Sequence, residues 1–121
     1  MPVSFSVYGT TNFSLGYEDE ELRTKINRYI LTQKKEGYFT YLKLCNYLLR
    51  VALQENRVPE RRADTYYESP ALTAKAYQRV SKMVWELIWA KKVYIDFYKN
   101  EYVSLLGNND TTFGITDEFD K

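Results

Sequence analysis

Residues 89–106 read WAKKVYIDFYKNEYVSLL. Trp89, Ala90 and two lysines run straight into alternating residues: Val93, Ile95 and Phe97 on one side, Tyr94, Asp96 and Tyr98 on the other. Such period-two alternation marks a half-buried strand. Lys99-Asn100 follows, and asparagine tolerates the positive φ that a two-residue hairpin turn needs. Residues 102–106 then return. The stretch predicts a helix end running directly into a two-stranded β-hairpin.

Upstream, residues 70–92 carry an apolar stripe of Leu72, Ala76, Val80, Met83, Val84, Leu87 and Ile88 at helical spacing. The opposite face offers Lys75, Gln78, Arg79, Lys82 and Glu86. Ser69 and Pro70 suit the N-cap and first position of that helix. Residues 57–70 read as a polar loop with Arg57, Arg61 and Arg62. A preceding helix, 41–55, is apolar on most faces and has Thr40 as its cap. Cys45 lies within it and reads as an inert core residue. An earlier helix, 19–34, buries Leu22, Ile26, Tyr29 and Ile30, and Gly37 is its natural stop. Its first turn follows the run EDEE at 18–21, where the helix dipole favours negative charge. Tyr38-Phe39 forms a short strand.

The chain's two ends read differently. Val3, Phe5 and Val7 alternate with Ser4, Ser6 and Tyr8, which predicts a strand over 3–8 ended by Gly9. Its partner is either the later hairpin or another chain. Beyond Gly107 the sequence is polar, acidic and without period, and reads as a loose tail over 107–121. The organisation expected is an arm at 1–17, a folded domain at 18–106 and the acidic tail.

Composition narrows the function classes. The 121 residues include no histidine and one cysteine, so the commonest general base is absent and a cysteine zinc site cannot form. The five glycines are isolated, so no Gly-rich phosphate loop exists. No enzyme activity, cofactor or metal is expected. No apolar run reaches membrane-spanning length and no signal peptide is visible, which predicts a soluble, intracellular, cytoplasmic protein. The net charge of +1 hides segregation: residues 22–106 hold sixteen Lys and Arg against eight Asp and Glu, a net of +8. A basic folded region suits a polyanion partner.

The order helix, short strand, helix, loop, helix, hairpin resembles the winged helix-turn-helix superfamily over residues 19–106. The resemblance is carried by LRTKINRYI, GYFTYLKLCNYLL, ALTAKAYQRVSKMVWELI and KKVYIDFYKNEYVSLL, and it is one of pattern. The fourteen-residue loop before the third helix departs from the short turn usual in that class. The resemblance implies an α+β, mostly helical fold with a C-terminal wing. It implies a DNA-binding protein, either a transcription regulator or an accessory protein of a phage or other mobile element. Lys75, Gln78, Arg79 and Lys82 would enter the major groove of double-stranded DNA, with Arg79 and Gln78 reading bases. Lys99 and Asn100 at the wing and Arg61 and Arg62 in the loop would hold the backbone. The apolar helix 41–55 and the free arm suggest a homodimer. The alternative is a winged-helix protein-interaction module without nucleic acid. The surfaces it would use are Val3, Phe5 and Val7 in the arm and Trp85 and Trp89 on the third helix.

Overall fold

The computed structural model describes residues 5–59, 65–96 and 111–119. Three helices and two small sheets follow in the order β1 (Phe5–Phe13), α1 (Asp19–Gln33), β2 (Tyr38–Thr40), α2 (Tyr41–Gln54), β3 (Thr65–Leu72), α3 (Ala74–Trp89), β4 (Val93–Ile95) and β5 (Thr112–Ile115). The fold is α+β and mostly helical. Among the described residues no helix is long and apolar enough to cross a membrane.

The three helices begin and end for local reasons. Asp19, Glu20 and Glu21 fill the first turn of α1. Its end is closed by Gly37, whose N–H donates to the carbonyls of Gln33 and Lys34 at 3.1 Å each, at φ +86°. Only glycine adopts that angle without strain. Thr40 Oγ1 accepts from the Lys43 N–H and caps α2. Thr73 Oγ1 accepts from the Ala76 N–H at 3.1 Å and caps α3.

That last cap corrects the expected helix start. Ser69 and Pro70 lie inside β3, in the stretch read as loop. β3 pairs in parallel with β1, with Thr11 opposite Pro70 and Phe13 opposite Leu72. The ladder shifts register between Val7 and Thr10, so Gly9 does not end the strand. A proline can join a ladder where its missing N–H is not called upon, and a two-stranded pair offers such an outer edge. Phe13 O accepts from Thr73 N at 2.9 Å, carrying the pairing up to the first turn of α3. The arm containing Phe5 and Val7 is therefore joined within its own chain.

The second sheet has the order β2-β5-β4, antiparallel throughout. Its central strand, β5, falls in the stretch expected to be a loose tail. Phe113 points inward and stacks on Phe39 with ring centroids 5.4 Å apart. Opposite Tyr38 and Tyr94 sits Gly114, and a Cβ there would run into the Tyr94 ring. The missing side chain is the space that the Tyr94 ring fills. Farther on, Phe119 is buried, Thr116 Oγ1 donates to the carbonyls of Lys91 and Lys92, and Lys92 Nζ donates to the Glu118 carbonyl. Residues 111–119 are thus part of the fold. The expected hairpin turn and return strand, 97–106, lie outside the described residues.

Between the helices and this sheet lies one core, with Phe13, Leu22, Ile26, Ile30, Leu44, Leu48, Val80, Val84 and Val93 essentially inaccessible. The apolar face of α2 (Tyr41, Leu44, Cys45, Leu48, Leu49 and Ala52) is buried within the single chain. It needs no second copy to cover it, which removes one argument for a homodimer. Pairing of the arm with β3 removes the other. Burial pushes the Cys45 thiol up to about 12, as expected of an inert core cysteine.

Candidate nucleic-acid interface

Helix α3 carries the candidate surface because its burial is one-sided. Ala76, Val80, Met83 and Val84 face the core. Lys75, Gln78, Lys82, Trp85 and Trp89 are all exposed, at the spacing i, i+3, i+7, i+10, i+14. That spacing keeps them on one face. From Lys75 to Trp89 the face runs about 21 Å, at a rise of about 1.5 Å per residue. The side chains of Lys75, Gln78 and Lys82 make no hydrogen bond or ion pair with any described residue, although the Lys82 charge acts on the Asp19 carboxyl.

Arg79 is placed differently. Instead of projecting outward, its guanidinium is turned onto the segment that enters α1. NH1 donates to the Leu15 carbonyl at 3.1 Å, and NH2 donates to the Tyr17 carbonyl and to Asp19 Oδ1, the latter at 2.8 Å. Nε donates to the same Asp19 oxygen at 3.0 Å. The Asp19 carboxyl is held below the usual carboxylate range, chiefly by this hydrogen bonding and the Arg79 charge. The helical wheel puts residue 79 at the border of the polar face, and α1 lies against that border. The expected base reader is a clasp between two helices.

A second pair fixes the same flank. Arg23 Nε and NH2 donate to the two oxygens of Glu86 at 3.3 Å each, so Glu86 is turned toward α1 and away from the exposed stripe. The outer stripe of α3 accordingly carries two lysines, a glutamine and two tryptophans, with no carboxylate.

The run EDEE turns out to be a hub. Asp19 holds Arg79, Glu20 holds Arg23 at 3.2 Å, and Glu21 holds Arg57 at 2.7 Å. Beside it, buried Tyr17 donates from its hydroxyl to Glu55 Oε1 at 2.5 Å, and Lys25 Nζ donates to Glu55 Oε2 at 2.8 Å. Lys25 and Arg57 both lie over the Tyr17 ring, at 5.3 and 5.1 Å from its centroid. Burial first, then the Glu55 hydrogen bond, pushes the Tyr17 phenol up. Lys25 and Tyr17 hold the Glu55 carboxyl down. Apart from the i, i+3 pair Glu20–Arg23, these partners are 30 to 60 residues apart, and nothing in the sequence spacing signals them.

Trp85 and Trp89 are 43% and 72% exposed, with ring centroids 6.3 Å apart. A shallow cleft of about 250 Å³ lies on the far side of α3, lined by Arg23, Ile26, Asn27, Met83, Glu86 and Leu87 among others. Among the described residues no group of three or more metal-ligating side chains converges. Val3, Arg61, Arg62, Lys99 and Asn100 lie outside the described residues. Phe5 and Val7 lie in β1, opposite Thr65 and Tyr67. No protein-family model, curated protein or solved structure matches this chain.

Proposed function

We propose that the chain is a winged-helix DNA-binding protein that contacts DNA through the outer face of α3. The single observation that carries this reading is the composition of that face: Lys75, Gln78 and Lys82 are exposed, and the carboxylates beside them among the described residues, Asp19 and Glu86, are ion-paired to Arg79 and Arg23. The element order supports the winged-helix reading. A short strand separates α1 from α2, β4 leaves α3 after a tight turn, and β5 lies between β2 and β4. Gln78 is the base-reading candidate, because a glutamine amide can bond bidentately to adenine. Lys75 and Lys82 supply phosphate contacts, which position the protein without reading sequence. Arg79 takes no direct part and holds α3 in place.

The test is a titration of random-sequence duplex DNA at several salt concentrations, followed by anisotropy. Log affinity should fall linearly with log salt, and Lys75→Ala with Lys82→Ala should lower that slope by about 2. Absence of duplex binding at low salt would overturn the reading.

A second reading, a protein-interaction module, is favoured by the exposure of Trp85 and Trp89. It requires the two lysine substitutions to leave partner binding unchanged.

A further inference from the structure

We propose that the outer face of α3 binds single-stranded or unpaired nucleic acid, with Trp85 and Trp89 as stacking platforms for the bases. The proposal rests on the nucleic-acid reading above and names the form of the ligand. Two observations carry it. The first is the position of the rings: both tryptophans continue the stripe that begins with Lys75, Gln78 and Lys82, so cations and aromatic faces lie along one line. The second is what the face lacks. Among the described residues, the two carboxylates that flank it are each taken up by an arginine, Asp19 by Arg79 and Glu86 by Arg23.

A cationic track followed by exposed aromatic rings is the chemistry that single strands demand. Lysines follow the phosphates, while each unpaired base offers a π-face to an indole. A duplex can meet Lys75, Gln78 and Lys82 but not the two indoles, because its bases are already stacked on each other and show only their edges in the grooves. Two indoles side by side offer no match to those edges. Charge complementarity also selects against a neutral apolar partner, since docking one here would bury Lys75 and Lys82 without counter-charges.

The chain contains two tryptophans in all, and both are in this patch. Intrinsic fluorescence therefore reports on the proposed site directly. The experiment is a titration of the full chain with oligothymidylate, with the same strand annealed to oligoadenylate, and with inorganic polyphosphate. The expected result is strong quenching of tryptophan emission by oligothymidylate, weaker quenching by the duplex and none by polyphosphate. Trp89→Ala should weaken oligothymidylate binding about tenfold, as expected for loss of one stacking partner. Far-UV circular dichroism of Trp89→Ala should match the parent, because the ring is outside the core. In Trp89→Phe, which keeps a stacking face, most of the affinity should return. Quenching and affinity greater for the duplex than for the single strand would overturn the inference and leave the DNA-binding reading standing. If neither nucleic acid binds, both fall, and the tryptophans face a protein. Equal quenching by polyphosphate would also overturn it, since charge alone would then explain the signal.

Discussion

Arg79 and Lys82 are three residues apart on α3 and carry the same charge, yet they do different work. Arg79 is spent inside the molecule, on two carbonyls and a carboxylate of the segment entering α1. Lys82 is exposed and makes no ion pair with any described residue. The difference extends beyond them. Arg23, Lys25 and Arg57 join Arg79 as internal ties, while Lys75 joins Lys82 outside. The net +8 over residues 22–106 thus overstates the charge offered to a partner, because part of it is neutralised by the first turn of α1, which lies outside that span. Cationic surface has to be counted after the intramolecular pairs are removed.

The contrast can be broken from the inside. Arg79→Ala leaves the Leu15 and Tyr17 carbonyls without their donor and should cost about 2 kcal/mol of stability, measured by urea unfolding. Arg79→Lys should recover little, because one ammonium cannot replace the forked guanidinium. Tyr17→Phe removes one hydrogen bond to Glu55 and should cost about 1 kcal/mol in the same assay.

From the outside, Lys75→Ala with Lys82→Ala should change stability by less than about 0.5 kcal/mol, because both side chains are solvated. The same variant should lose DNA affinity in the salt titration. If Arg79→Ala were neutral and the lysine pair destabilising, the division between inner and outer cations would be wrong.

The smallest effect sharpens the comparison through pH. Asp19 and Glu55 are held below their ordinary range, so their ionised forms favour the fold. That stabilisation is present above the unfolded carboxyl values near pH 4 and fades as pH falls through the lower folded values. The Tyr17 phenol is raised, so its contribution is present below about pH 10 and is lost as pH rises beyond it. Unfolding midpoints followed from pH 3 to 11 should therefore show a plateau that falls at both ends. Asp19→Asn should flatten the acid side slightly and leave the alkaline side unchanged.

The helices were legible because their signals are local. The stripe Leu22, Ile26, Tyr29 and Ile30, the Thr40 cap and the Gly37 stop each act within a few residues, and all three stand where the periodicity put them. The parallel pair was not legible. Ser69-Pro70 resembles a helix cap, and only the presence of β1 alongside makes it strand. β5 was hidden by averaging. The acidic neighbours of TTFGI gave the region the composition of a tail, although Thr112, Phe113 and Ile115 are residues that favour strands. On the candidate site, the wheel placed Lys75, Gln78 and Lys82 correctly on the outer face. It failed for Arg79 because a border position is decided by what packs beside it, and here that is α1.

The place of β5 has a consequence for how the molecule is made. Strands β2 and β4 are both completed before residue 112 is added, yet neither pairs with the other: each bonds to β5. During vectorial synthesis the sheet therefore stays unassembled while all three helices are already available to form. Until Phe113 arrives, Phe39 lacks its stacking partner, and the backbone groups that β2 and β4 share with β5 lack theirs. That interval is when a nascent chain is open to misassociation through strand edges, and it closes only once Thr112–Ile115 are free to pair.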